Sequence, residues 1–375
     1  MEPKDKDRIL KGALDLALAR LVAGYEVMDY AVHTQGYLQQ QPGVERVLDY
    51  RHSDITVRFE DKSQVTILLG REASYGGPPA ASNAALPGKA PGYSNPNGLR
   101  AGVIDPLWDD WPPQATPTGI VNTLLAEGFQ VEHIKGEDVD LEFMTEFDNH
   151  QYRVVFMRTH GGTIWIDNDP KLHIMVRPFF DSWPPDSGFV GISTFYVNTK
   201  WGPRYAYAFN DAFVSTHMNE KRFPNTLVHL LVCYGASVEA ENDMIPALLN
   251  LGVGCYTGWT LTASSTYGDP AAVTFFERMR LGDTVAEAIQ HIEAAGSSPD
   301  PSTGALLVAH GDGDMHLHIS QSHIGNKRTK KLHQPECRWA RAMNPENIQL
   351  FDSITEALSL GYQGCRSCLP GHDPG

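Results

Sequence analysis

Short, nearly continuous apolar runs alternate with helical patterns between residues 101 and 325. The clearest runs are YRVVFM at 152–157 and LVHLLV at 227–232. Residues 269–279 and 284–295 instead carry apolar side chains at helical spacing. Strands that are apolar on both faces are typical of parallel sheets covered by helices on each side. The alternation therefore predicts an α/β fold with a mostly parallel sheet in this part of the chain.

The first 71 residues predict a smaller α+β segment. Apolar residues at helical spacing over 6–33 predict an amphipathic helix. Two stretches of alternating apolar and polar residues, 55–59 and 65–69, lie on either side of the sequence EDKS and predict a β-hairpin. Residues 72–100 are rich in Gly, Pro, Ser, Ala and Asn, a composition typical of a flexible linker.

The charge and cysteine content limit the partners and the compartment. The 375-residue chain has 45 acidic and 30 basic residues, a formal net charge of −15, which disfavours nucleic acid as a partner. It contains no apolar stretch long enough for a membrane span. Five scattered cysteines do not form a disulfide framework, and the N-terminus lacks a signal-peptide pattern. These features favour a cytoplasmic location.

A histidine and a cysteine follow the two clearest strands. His160 follows the first run after Arg158 and Thr159 and precedes Gly161, and Cys233 directly follows the second run. The carboxyl ends of parallel strands share one edge of the sheet, so the imidazole and the thiol can be neighbours. Such a histidine can accept the thiol proton, and the backbone amides of Gly161 and Cys233 can form an oxyanion hole. Taken singly, each residue is more often structural: a buried inert thiol and a turn histidine.

Residues 101–315 resemble the clan CD cysteine peptidases, the caspase–gingipain–clostripain superfamily. The segments VVFMRTHGG and VHLLVCYGAS carry the resemblance, supported by AGVIDPLWDD, NLGVGCYTGWT and FFERMRLGDTVAEAI. It implies a caspase-like α/β/α sandwich and an endopeptidase that acts on a protein or peptide, with Cys233 as nucleophile and His160 as general base and acid. The chain departs from the family at Val232, where a small residue is usual, and at Leu231, where clostripain relatives have an Asp.

The resemblance also suggests where substrate specificity is determined. The loop after the first strand often helps to form the specificity pocket in this superfamily, and here it contains Asp105, Asp109 and Asp110. A carboxylate there would pair with a basic P1 side chain. Trp259, on a later strand, is the candidate aromatic wall. Cleavage after basic residues would make self-processing sites of three residues in or beside the linker, Arg71, Lys89 and Arg100.

The remaining cysteines form a metal-binding pattern near the C-terminus. His333 and Cys337 are followed by the pair Cys365 and Cys368, a donor set and spacing that suit tetrahedral zinc. The surrounding sequence, from HQPEC to GCRSCLP, resembles the zinc domain of the Ada methylphosphotriester-repair protein. The first ligand of that domain is a cysteine that accepts the methyl group, and here the matching residue is His333. We therefore expect a closed structural zinc site rather than methyl transfer.

The sequence thus predicts four regions: an N-terminal segment (1–71), a linker (72–100), a caspase-like peptidase domain (101–325) and an Ada-like zinc domain (326–375). A second interpretation stays open. The peptidase-like domain would then be degenerate, and the protein would be a non-catalytic adaptor. Its zinc module would dock a regulatory protein or nucleic-acid partner.

Overall fold

The computed structural model describes residues 1–25, 27–50, 54–69, 99–111, 114–166, 169–218, 223–317, 323–334, 337–344, 347–351 and 354–373. In chain order the helices are α1 (Pro3–Val22), α2 (Val27–Gln39), α3 (Ala115–Ala126), α4 (Leu141–Thr145), α5 (Asp211–His217), α6 (Val238–Asn242), α7 (Met244–Asn250), α8 (Ser265–Arg280), α9 (Val285–Ala294), α10 (Arg338–Arg341) and α11 (Ile354–Ser359).

The strands belong to three sheets. In chain order they are β1 (Val44–Tyr50), β2 (Asp54–Phe59), β3 (Gln64–Leu68), β4 (Arg100–Asp105), β5 (Gln130–Lys135), β6 (Val154–Arg158), β7 (Gly161–Ile166), β8 (Asp169–Phe180), β9 (Ile192–Thr199), β10 (Gly202–Phe209), β11 (Thr226–Leu231), β12 (Val253–Trp259), β13 (Leu307–Gly311), β14 (His323–Asn326), β15 (Lys331–His333), β16 (Ile348–Phe351) and β17 (Gln363–Gly364).

The predicted parallel sheet is six-stranded, in the order β13-β12-β11-β6-β4-β5. Its strands are parallel except for β13, which pairs with β12 in antiparallel fashion. Alternate residues of each central strand enter different cores. Val154 and Phe156 pack with residues of α3, α8 and α9, whereas Val155 and Met157 pack with residues of α4 to α7. The sheet is therefore covered by helices on both faces, and the predicted α/β class is confirmed.

A seven-stranded mixed sheet, in the order β1-β2-β3-β9-β10-β8-β7, joins the N-terminal segment to the middle of the chain. The predicted hairpin is present as β2 and β3, and β3 then pairs in parallel with β9. Residues of α1 and α2 pack with those of this sheet in one core, which includes Ile55, Val57 and Tyr196. The single helix expected over 6–33 is two helices, because the chain turns at Gly24, which has a φ of +82°.

The C-terminal module is a four-stranded sheet in the order β16-β14-β15-β17. Among the described residues, its two small cores contain only residues from 324–369. The sheet begins at His323, three residues before the predicted boundary at 326. None of the helices in the described ranges combines the length and apolarity that a bilayer crossing requires.

The predicted linker lies largely outside the described residues, as do the candidate cleavage sites Arg71 and Lys89. Arg100 is described, and it is the first residue of β4. Its guanidinium donates to the His150 carbonyl oxygen over 2.6 Å and also pairs with Glu132. The candidate cleavage site at Arg100 therefore lies in a hydrogen-bonded strand.

Candidate active site and zinc centre

The chain segments that carry His160 and Cys233 are in contact. Strands β6 and β11 are parallel neighbours whose last register pair is Arg158 with Leu231. Beyond it, the Thr159 amide donates to the Leu231 carbonyl oxygen over 3.3 Å. A Cβ atom placed on Gly161 would lie 2.5 Å from the Cys233 carbonyl oxygen. The predicted juxtaposition of these two strand ends is therefore present in the backbone.

His160 lies where the two large sheets meet. Its carbonyl oxygen accepts a hydrogen bond from the Met175 amide over 2.9 Å, and the Thr159 hydroxyl donates to the Met175 carbonyl oxygen over 2.9 Å. The imidazole is largely buried and stacks on the indole of Trp111, with ring centroids 5.3 Å apart and 18° between the planes. The histidine is thus held by backbone bonds on one side and by an aromatic ring on the other.

The pairing of β7 with β8 shows which way the backbone amide of Gly161 faces. Gly161 is opposite Ile174 in the antiparallel pairing of β7 with β8. Because the His160 carbonyl oxygen accepts from the Met175 amide, Gly161 and Ile174 form a pair without mutual hydrogen bonds. The Gly161 amide therefore points away from β8, and β7 is the last strand of its sheet on that side.

Cys233 begins a sharp turn after β11. It is half-buried, and its Sγ lies 3.9 Å from the carbonyl oxygen of Ala263. The next residue, Tyr234, has a φ of +60°, a left-handed conformation that is strained for a tyrosine. The turn is held by hydrogen bonds from the Tyr234 amide to the Leu261 carbonyl oxygen and from the Ala236 amide to that of Trp259. The fold therefore keeps the thiol at a strained and well-anchored position.

Asp105 has a different environment from the one expected for a substrate-binding group. Its side chain is fully buried, and its Oδ2 lies 3.1 Å from Nη2 of Arg158. The same guanidinium pairs with Asp269 over 3.2 Å. Burial raises the pKa of Asp105 to about 6, although the nearby guanidinium acts in the opposite direction. Because an internal cation already balances this carboxylate, the predicted pairing with a basic P1 side chain loses its support.

The other predicted specificity residues also face the interior or an internal cation. Asp110 is buried and accepts from the Lys200 amide over 2.6 Å. Burial lowers the pKa of Arg177, and the negative charges of the exposed Asp109 and the buried Asp110 partly offset this effect. Trp259 is fully buried in the core with α3, α8 and α9, so it is a core residue rather than an aromatic wall.

Two residues close to His160 were not predicted from the sequence. Trp111 provides the ring that stacks on His160, and Arg158 is the charged centre beneath it. Trp111 lies outside the quoted motifs, Arg158 lies inside one without an assigned role, and the partners of both come from distant parts of the chain. An arginine inside the apolar run VVFMRTHGG was the available signal, because a buried charge requires a partner.

The zinc ligands converge as predicted. The ligand atoms of His333, Cys337, Cys365 and Cys368 all lie within 4.8 Å of one another. A tetrahedral site with Zn–S bonds of about 2.3 Å has edges of about 3.8 Å, so a small contraction around the ion completes the geometry. Burial lowers the pKa of His333, which favours the neutral imidazole that coordinates metals. One nitrogen and three sulfur donors suit zinc.

Backbone amides support the sulfur ligands. The Ser367 amide donates to Sγ of Cys365 over 3.4 Å, and the Gln334 amide donates to Sγ of Cys368 over 3.3 Å. Amide donors around sulfur ligands stabilise thiolates and orient them toward the metal. The four positions are all supplied by protein, which is the arrangement of a closed structural site.

Residues 320–371 match the family model described as the metal binding domain of Ada. The match and the ligand set together assign structural zinc to the C-terminal module. Residues 1–319 lie outside this match. No curated protein matches the chain.

Proposed function

We propose that the protein is a cysteine peptidase with a caspase-like α/β/α sandwich, in which Cys233 and His160 form the catalytic dyad. The observation that carries the proposal is the contact between the chain segments after β6 and β11. Thr159 bonds to Leu231, and Gly161 leaves no room for a side chain against the Cys233 carbonyl. Each candidate residue follows an apolar strand of the same parallel sheet, at the edge where ligands bind in such folds.

The dyad acts by covalent catalysis. His160 accepts the proton of the Cys233 thiol, and the thiolate attacks the carbonyl carbon of the scissile peptide bond. The backbone amides of Gly161 and Cys233 donate to the developing oxyanion. Collapse of the tetrahedral intermediate breaks the C–N bond, and the amine leaves with the proton from His160. Water, deprotonated by His160, then hydrolyses the thioester, which releases the acid product and restores the thiol.

The buried charges change what is expected of specificity. The carboxylates of Asp105 and Asp110 are occupied by Arg158 and by the Lys200 amide. Basic P1 specificity therefore stays a prediction, and of the three acids of this loop only Asp109 is exposed. A positional-scanning peptide library measures P1 preference directly. Preference for Arg or Lys would show that another acidic group lines the pocket.

A thiol-reactive acyloxymethyl ketone tests the dyad. We expect the probe to label wild-type protein, and Cys233→Ser and His160→Ala each to lose the label, because one removes the nucleophile and the other its base. Cys255→Ser is the matched control. Cys255 is fully buried, and burial raises the pKa of its thiol to about 12, so its removal should leave labelling unchanged. Mass spectrometry identifies the labelled residue.

The same experiment separates peptidase from adaptor. Wild-type protein that takes up no probe, or that is labelled equally when His160 is alanine, would contradict the dyad. The α/β part would then be a non-catalytic binding unit attached to a zinc module. Intact masses of wild type and Cys233→Ala test self-processing: a fragment pattern that is lost in the variant supports it.

A further inference from the structure

We infer that Trp111 is a positioning residue for the His160 imidazole, and that the buried cluster of Arg158, Asp105 and Asp269 holds Trp111 in place. The inference rests on the proposed dyad, in which His160 must face the thiol to act as its base. The contacts that carry it join the loop of Trp111 to Arg158, Arg158 to Asp269, and the same loop to the turn at Lys200, and each involves a residue outside the proposed dyad.

The loop that carries Trp111 is fixed by its own hydrogen bonds. Asp105 Oδ1 accepts from the Leu107 amide over 3.1 Å. The Leu107 carbonyl oxygen then accepts from the amide of Trp111 over 2.8 Å and from that of Asp110 over 2.9 Å. Asp110 in turn accepts from the Lys200 amide, which ties the loop to the turn between β9 and β10. A loop with this many internal bonds has few alternative conformations.

Arg158 locks the same loop from below. Its Nη2 donates to the Trp111 carbonyl oxygen over 2.9 Å and to Asp105 over 3.1 Å, and its Nη1 donates to Asp269 over 3.2 Å. The guanidinium carbon also lies 5.7 Å from the centroid of the Trp111 ring, within range of a cation–π contact. Arg158 ends β6, so the strand that leads to His160 also carries the group that fixes its stacking partner.

The stacking limits how the imidazole can turn. The ring is nearly parallel to the indole, at 18°, and rotation about χ2 would break this contact. Stacking involves the face of the imidazole, whereas both nitrogens lie on its edge, where in-plane hydrogen bonds form. A general base that is held in one orientation is already aligned with its proton donor, and such alignment increases the reaction rate. Trp111 therefore acts through His160 and does not touch substrate in this assignment.

Two measurements on the full-length protein test the inference. The first is the position of the His160 ring-proton resonances in histidine-labelled protein, assigned by comparison with His160→Gln. We expect the indole ring current to shift them upfield in the wild type, and Trp111→Ala to move them downfield. The second is the rate of probe labelling at Cys233, which we expect Trp111→Ala to lower by about 10- to 100-fold.

Trp108→Ala is the matched control, because Trp108 lies in the same loop but contacts His133, with ring centroids 4.9 Å apart. It should leave the His160 resonances in place and change the labelling rate by no more than about twofold. Trp111→Phe keeps a ring and should restore most of the labelling rate, which a lost fold would not allow. Unmoved His160 resonances or an unchanged labelling rate in Trp111→Ala would overturn the inference. If wild type takes up no probe, the dyad fails, and the resonances alone decide whether Trp111 positions the ring.

Discussion

At the scale of single residues, the surroundings of the dyad contain more buried charge than apolar strands usually hold. One guanidinium, Arg158, serves the two carboxylates of Asp105 and Asp269, so the buried cluster has more acid than base. Burial raises the pKa of both carboxyls, and that of Asp105 reaches about 6. Ionising both acids at neutral pH therefore lowers stability in exchange for a fixed arrangement of the loop.

The raised pKa predicts how stability depends on pH. The folded state binds the Asp105 proton more tightly than the unfolded chain, whose carboxyl has its ordinary pKa of 3.8. This contribution to stability is present below pH 4 and is lost as the pH rises through about 6. We expect the stability of Asp105→Asn relative to wild type to increase between pH 4 and pH 7, by on the order of 2–3 kcal/mol.

Urea unfolding of both proteins at several pH values measures this difference. Asp109→Asn, at an exposed position of the same loop, controls for the loss of one negative charge. A stability difference between Asp105→Asn and wild type that stays constant across the range would contradict the prediction.

Gly161 provides a second prediction, based on space. An added Cβ would lie 2.5 Å from the Cys233 carbonyl oxygen, a backbone atom that cannot move without shifting the nucleophile turn. We expect Gly161→Ala to lower the rate of probe labelling about a hundredfold, since a displacement of about 1 Å has that effect on positioned groups. Gly36→Ala, where an added Cβ meets nothing within 4 Å, is the control. Equal labelling rates in both variants would show that the turn adapts.

At this scale, the residues that could be predicted from the sequence are those marked by a local pattern. His160 and Cys233 each follow an apolar run, and the zinc cysteines are spaced as ligands. Trp111 and Asp269 could not be found in this way. Trp111 stacks on His160, which is 49 positions away in the chain, and Asp269 pairs with Arg158, which is 111 positions away. Only the folded structure brings these residues together.

At the scale of secondary structure elements, the parallel strands and the β2–β3 hairpin were predictable, and the rest of the mixed sheet was not. Strands β6 and β11 are apolar on both faces because helices cover both sides. Strands β8 to β10 instead interleave apolar residues with polar ones that the fold buries, such as His173 and Arg177 on β8. Buried polar residues obscure the alternation that identifies a strand, so these strands were harder to predict.

The zinc module is the element whose stability depends most directly on a ligand. It has two small cores, and zinc binding contributes about 10–16 kcal/mol in comparable small modules. We expect Cys365→Ser or removal of zinc by a chelator to unfold residues 323–373 and to leave probe labelling at Cys233 unchanged. Metal analysis should find one zinc per wild-type chain, and limited proteolysis should show the unfolding.

Ser367→Ala is the control for this experiment, because its exposed side chain lies between two ligands while its backbone amide still supports Cys365. This variant should keep its zinc. Protease resistance that survives complete loss of metal would contradict a structural role for the ion.

At the scale of the whole molecule, the N-terminal segment is part of the larger structure. Strand β3 pairs with β9, and Tyr205 of β10 donates from its hydroxyl to Asp7 of α1. The apolar pattern of residues 1–71 predicted a small α+β segment but not its pairing with β9, because pairing between distant strands leaves no trace in the local pattern. The zinc module, by contrast, closes its cores within its own residues.

This difference predicts unequal effects of truncation. Deleting residues 1–69 leaves β9 without its parallel neighbour and uncovers Tyr196 and Tyr205, so we expect aggregation or strong binding of a hydrophobic dye. Deleting residues 326–375 should leave a monodisperse protein that is still labelled at Cys233. Size-exclusion chromatography and dye fluorescence compare the two. A monodisperse protein without residues 1–69 would show that the larger sheet tolerates the loss.

The pairing of β3 with β9 also determines what a single backbone cut would do. Residues 1–69 precede the predicted linker and β4 begins after it. Strand β9 also follows the linker, and it belongs to the same seven-stranded sheet as β3. A scission between them would produce two polypeptides that migrate separately after denaturation but elute together in native buffer. The nicked protein would behave as a heterodimer whose subunits were translated as one chain.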